Sequence, residues 1–347
     1  MTDTKFIGYV GTYTKGKSEG IYSFLLDTKE KKIMDVKVAA TIENPTYLTI
    51  NQSKNLLFSV GKYGDHGGVF SFNVDSQGRL SKVNNQTSVG SPPCHVSVDK
   101  QNHTLLSANY HKGTIEVYPF QKNGEIMPLA SVIQFEGTGP DPRQEKAHAH
   151  YASFSPDERF VVTTDLGSDK IITFSLENNK LEEKNVLSVK PGSGPRHLVF
   201  HPSQSIAYVM TEFSSEVLVL DFDSESGFFT IRQTLSTIPS YYHENNQGSA
   251  IHISKDGRFV YAGNRGHNSI AVFKVHEETF ELTFIDRIST EGHWPRDFVL
   301  DPTENFLIAS NQESSNLVLF AREEETGLLT LLQSDVIVPD PVCVKFL

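Results

Sequence analysis

The sequence predicts an all-β fold, a seven-bladed β-propeller of four-stranded antiparallel blades, on three observations. A short strand ending in an aromatic residue or Leu returns seven times, at Phe24, Phe72, Tyr118, Phe174, Leu220, Phe273 and Phe320. The intervals of 48, 46, 56, 46, 53 and 47 residues mark stacked supersecondary units. Each copy divides into β-branched and aromatic runs separated by turn residues, four to a unit, as in a propeller blade. The last copy supplies a single strand, and its missing partners stand at the other end of the chain.

Taken in order, the N-terminal runs Phe6 to Gly11, Gly20 to Leu26 and Val36 to Ile42 read as three strands without a first. The first strand of each copy opens at Pro45, Pro93, Ala149, Pro195, Gly248, Pro295 and Pro341. In the copy from Pro195 to Glu225, Pro195 to Phe200 is a first strand, Ala207 to Thr211 a second and Glu216 to Phe222 a third. Phe229 to Leu235 follows as the fourth. The C-terminal strand, Pro341 to Phe346, is expected to pair with the N-terminal ones and close a ring over residues 1–347 as one domain. Closure protects edges that an open stack leaves unpaired.

Composition narrows the function classes. With 31 basic against 42 acidic residues the formal charge is −11, which argues against binding to nucleic acid or an anionic membrane. No apolar run is long enough to span a bilayer and the N-terminus does not resemble a signal peptide, so a cytoplasmic protein is expected. Cys94 and Cys343 are too few for a disulfide framework and read as small buried residues. An anionic small substrate needs a local cluster of Arg, Lys or His.

Strand polarity locates such a cluster. Neighbouring strands are antiparallel, so the start of strand one and the end of strand two share a face. That rule gathers Cys94-His95, His150-Tyr151, Arg196-His197 and Arg296-Asp297 with Asn109-Tyr110, Asp165-Leu166, Glu212-Phe213 and Asn264-Arg265. Two long connections, 136–147 and 236–247, open onto the same face, the first carrying Arg143 and Lys146. His148, His150 and Asp165 permit either a metal site or hydrogen bonding and acid–base use. Arg196, Arg265 and Arg296 permit either ion pairs between blades or a grip on a carboxylate or phosphate. Glu212 follows an apolar strand, where it can act as a base or orient Arg and His. No Gly-rich strand-to-helix turn and no nucleophile-elbow Ser occurs.

The segments Gly11-Thr12-Tyr13-Thr14, Ala147-His148-Ala149-His150, Thr164-Asp165-Leu166-Gly167, Gly194-Pro195-Arg196-His197, Gly263-Asn264-Arg265-Gly266 and Trp294-Pro295-Arg296-Asp297-Phe298 together resemble the seven-bladed propeller lactonases. That family includes bacterial 6-phosphogluconolactonases and fungal carboxymuconate lactonizing enzymes, and the likeness covers essentially the whole chain. It implies a carboxylic ester hydrolase of the pentose phosphate pathway that opens 6-phosphogluconolactone to 6-phosphogluconate. The alternatives are a muconate-type cycloisomerase and a non-catalytic binding propeller. By motif, the catalytic set expected is His148 (or His150, which the pattern does not separate), Arg196, Glu212 and Arg265. Arg143, Lys146, His150, Asp165, His197, Asn264 and Arg296 are expected to bind substrate. No metal or cofactor is expected, the partner is a small anionic lactone, and the chain is expected to be a monomer or weak homo-oligomer.

Overall fold

The computed structural model describes residues 4–347; the first three residues of the expected 1–347 body lie outside the described residues. Twenty-eight strands form seven four-stranded antiparallel sheets, and the described residues contain no helix. Blade 1 joins the N-terminal strands Lys5–Thr12, Gly20–Asp27 and Lys32–Thr41 to the C-terminal strand Pro341–Phe346, which lies innermost. Tyr9 sits opposite Lys345 in that closing pair, and the Leu347 N–H donates to the Ile7 carbonyl at 2.9 Å.

Blades 2 to 7 begin at the inner strands Leu48–Ile50, His95–Val98, Ala149–Phe154, Pro195–Phe200, Gln247–Ile253 and Pro295–Leu300. In blades 2 and 3 the strand starts after the expected Pro45 and Pro93, at Leu48 and His95, whereas in blades 5, 7 and 1 it starts at the proline itself. The outer strand of blade 1 starts at Lys32, ahead of the expected Val36, since the chain turns at Lys31 (φ 55°) and bulges again at Asp35 (φ 54°).

Packing explains the repeat. All seven repeat residues, from Phe24 to Phe320, are buried. Each lies in the third strand of its blade, and burying a side chain of this size contributes about 1.5–3 kcal/mol. Seven apolar clusters result, one between every pair of adjacent blades. The cluster between blades 7 and 1 unites Ile308, Leu317 and Leu319 with Val10, Phe24 and Val344. The ring is therefore closed by hydrophobic packing as well as by strand pairing.

Candidate active site

A register shift near the start of the inner strand places the functional side chains. In blade 4, Ala149 pairs with Asp165 and Tyr151 with Thr164, so His150 is an extra residue. Arg196 is the extra residue in blade 5 and Arg296 in blade 7. In blade 1 it is Val342, and in blade 6 Ser249 and Ala250 together oppose Gly263. Such a bulge bends the strand and re-aims a side chain. Thr46 and Cys94 occupy the same place in blades 2 and 3, one residue before Tyr47 and His95. These residues form a first ring at the front mouth of the axial channel.

The ends of the second strands complete the site. Glu212 stands just past the strand Ile206–Thr211 and is 8% exposed. Its Oε2 lies 2.9 Å from Arg196 Nε and 2.6 Å from Arg265 Nη2. Both guanidiniums are anchored further: Arg196 Nη1 donates to the Ser249 carbonyl at 2.7 Å, and Arg265 Nη2 to the Gly248 carbonyl at 2.7 Å. With its amide nitrogen turned toward Glu212, Gln247 donates to Oε1 at 3.3 Å and accepts from Arg143 Nη1 at 3.2 Å. Burial pushes the Glu212 carboxyl up, but Arg265 and Arg196 outweigh it and hold its pKa below the ordinary value. Burial likewise pulls Arg265 down, against the attraction of Glu212.

Two glycines make this approach sterically feasible. A Cβ on Gly248 would stand 2.2 Å from the Thr211 carbonyl oxygen, so only glycine lets blade 6 pass this close to the Glu212 segment. Gly194 has φ 64°, and its carbonyl accepts the Glu212 N–H at 2.7 Å.

A cavity of about 620 Å³ covers this site, lined among others by Glu212, Arg265, Arg296, His150, Tyr110 and Cys94. Arg296 differs from the other two arginines. Among the described residues it has no ion pair or hydrogen bond, only the Tyr13 ring 5.5 Å from its guanidinium carbon. His150 is 3% exposed and its Nδ1 has no partner. Burial first, then Arg196 and Arg296, push its pKa well below the ordinary value, so the ring is neutral.

The structure separates the two histidines that the motif leaves together. His148 stacks on Tyr110 at 4.0 Å, and its ring nitrogens meet the Tyr110 carbonyl at 2.9 Å and Glu145 at 3.2 Å. It lines none of the cavity. Asp165 Oδ1 accepts the His148 and Gly167 N–H groups at 2.7 and 3.0 Å, and Oδ2 accepts from Ser168 Oγ. Its oxygens brace the loop, and no three His, Cys, Asp or Glu side chains among the described residues are grouped to hold a metal ion.

The remaining candidates divide in the same way. Asn264 is engaged with Thr237, Asn246 and Ser269. Lys146 donates to the His111 carbonyl at 2.7 Å. Arg143 forms a two-pronged pair with Asp141 at 2.8 and 2.9 Å and lies over the Phe213 ring. His197 is buried one layer below the first ring, among Tyr47, His95, His150 and Tyr151. The loop 236–247 contributes only its last residue, Gln247; Tyr241 is 79% exposed. Gln247 and Tyr110 escaped the sequence reading as site residues, although Tyr110 ends a second strand and the ring rule already placed it at this face.

Comparison with known proteins agrees with this fold. The family described as "Lactonase, 7-bladed beta-propeller" matches residues 7–346. The chain belongs to this family. It is 53% identical over 345 residues to the 6-phosphogluconolactonase of Bacillus subtilis, covering 99% of both chains. Among solved structures, it is similar to a protein from Lactobacillus plantarum (TM-score 0.95, 42% identity, 99% of both chains). It is also similar to the periplasmic gluconolactonase of Pseudomonas aeruginosa (TM-score 0.94, 30% identity, 99% of both chains).

Proposed function

We propose that this propeller lactonase hydrolyses 6-phospho-D-glucono-1,5-lactone to 6-phosphogluconate. The observation that carries the reading is the unpaired Arg296 and the neutral His150 beside the Glu212–Arg265 pair in one cavity. A phosphorylated lactone brings an anion that needs a free cation, and an ester carbonyl that needs a proton acceptor and an oxyanion partner. The relatives named as lactonases support the same substrate class.

In this reading Arg296 receives the phosphate. Water attacks the lactone carbonyl carbon while His150 Nδ1 takes its proton. Negative charge grows on the carbonyl oxygen and is met by Arg265, which Glu212 holds in place together with Arg196. The tetrahedral intermediate collapses, the C–O bond of the ring breaks, and the imidazolium returns its proton to the departing ring oxygen. Sugar lactones open unaided at an appreciable rate, so the barrier reduction required is smaller than for most hydrolases. A sugar phosphate is charged and stays in the compartment where it is made, so we place the reaction in the cytoplasm.

The test is lactone opening above the spontaneous rate in purified wild type, His150→Gln and Arg265→Gln. Each variant is expected to lose at least roughly a hundredfold in kcat, the scale of a general base or oxyanion donor, with the thermal transition still cooperative. Wild-type turnover in both variants, or no acceleration by the wild type, would overturn the assignment.

A further inference from the structure

The axial channel has a second mouth. Three residues on from each member of the first ring, the inner strands present another ring toward the axis: Thr49, Ser97, Ser153, Val199, His252 and Lys345, with Val299 completing the seven. The first six line a cavity of about 220 Å³ at the rear. The lining of the two cavities does not overlap, and between them lies a pinch of about 20 Å³ walled by His150, Arg196, His197 and Asp297 among others.

This rear cavity holds more hydrogen-bonding capacity than the protein uses. The Lys345 ammonium has three donors, but its one carboxylate contact is Asp297 Oδ2 at 3.5 Å, with the Tyr47 ring 4.8 Å away. His252 Nε2 stands 3.6 Å from Asp297 Oδ1. His95 and His197, also in the lining, are 3% and 7% exposed, and His95 Nδ1 and His197 Nε2 have no partner. Buried polar groups are ordinarily satisfied, so the concentration of idle ones around a single cavity needs a ligand or water to explain it.

We propose that the rear cavity is a second ligand site, which takes a small oxyanion, a carboxylate or phosphate, on Lys345 and the surrounding imidazole N–H groups. The local field favours this choice. Burial, Lys345 and Arg196 together drive His95 down to about 3, and burial with Arg196 and neighbouring imidazoles pushes His197 well below its ordinary value. A neutral imidazole still offers one N–H, and although burial itself disfavours any charge, the part of the depression that comes from Lys345 and Arg196 is a positive potential that attracts an anion. Asp297 offsets one positive charge, and its Oδ2 is also held by the Val344 N–H at 3.0 Å.

The experiment uses the full chain with ¹⁵N-labelled histidine, titrated separately with inorganic phosphate and with gluconate while the ring signals of His95 and His197 are followed. Saturable shifts are expected with at least one anion, and the arm that responds identifies the source chemistry. They are expected to persist in Arg296→Gln, which weakens the front site, and to need at least tenfold more anion in Lys345→Met. Because Lys345→Met leaves Asp297 unpaired and could fail to fold, Ser153→Leu provides a second variant that fills the cavity and spares the ion pair. It is expected to lose the shifts and keep wild-type lactone hydrolysis. No shift with either anion, loss of the shifts in Arg296→Gln, or full retention in Ser153→Leu overturns the proposal. The lactonase reading stands or falls separately on the hydrolysis assay.

Discussion

The front and rear rings of the channel are made by the same seven strands three residues apart, yet their charges alternate. Blades 5 and 7 present Arg196 and Arg296 at the front and Val199 and Val299 at the rear; blade 1 presents Val342 at the front and Lys345 at the rear. Each strand thus carries at most one of these cations, which keeps like charges apart along a low-dielectric axis. The carboxylates divide too. Glu212 grips two guanidiniums at 2.6 and 2.9 Å, whereas Asp297 holds Lys345 and His252 loosely at 3.5 and 3.6 Å. A tight pair fixes geometry for chemistry; a loose one leaves donors available for a ligand.

The largest effects come from breaking either pair. Glu212→Gln and Asp297→Asn each leave buried cations unmatched, and each is expected to lower stability by about 3–5 kcal/mol. Only the first is expected to abolish hydrolysis as well, by freeing Arg265 from its position. Urea titration beside a turnover assay separates the two. If Asp297→Asn also stops turnover in folded protein, the division of labour between the mouths is wrong.

Acid sharpens the same contrast. Both carboxyls are held below their ordinary pKa: burial opposes this in each, and Arg265 with Arg196 at Glu212, or Lys345 with His252 at Asp297, overcomes it. A depressed folded pKa gives stability that is full above the unfolded value, about 4 for a carboxyl, and is lost as pH falls through the folded value. Melting temperature is therefore expected to fall with pH below about 4, and less steeply in Glu212→Gln than in wild type. Equal slopes would remove Glu212 from the linkage.

An intermediate effect is expected from Arg296, the arginine of the front site that has no ion pair among the described residues. Losing one charge-assisted contact costs about 2 kcal/mol, roughly thirtyfold in KM for a phosphorylated lactone. Arg296→Gln should leave the KM for unphosphorylated gluconolactone nearly unchanged. An equal rise for both substrates would move Arg296 from the phosphate to the lactone ring.

Much of this was legible in the sequence, and the reasons differ by feature. The repeat and the solitary last strand specify seven blades and their closure, because each third-strand aromatic or Leu must bury against the next blade. Strand polarity then brings Arg196, Glu212 and Arg265 to one face without side-chain detail. What strand periodicity cannot reveal is the bulge: an alternating strand turns His148 and His150 the same way, and a single extra residue breaks that rule. Nor does a sequence show which arginine is left unpaired. Arg143 and Arg296 look alike until Asp141 is seen engaging the first.

The smallest predicted effect tests the bulge directly. His148 and His150 differ in sequence by two positions, but only His150 is the extra residue opposite Asp165 and Thr164, and only it lines the front cavity. His148→Gln keeps an amide NH2 group that can donate to the Tyr110 carbonyl or to Glu145, which both accept, so kcat is expected to change by less than about threefold, within the range of about 0.5 kcal/mol for a replaced hydrogen bond. A hundredfold loss in His148→Gln with His150→Gln near wild type would mean that the active ring sits outside the bulge, and that the register shift aims the wrong histidine at the substrate.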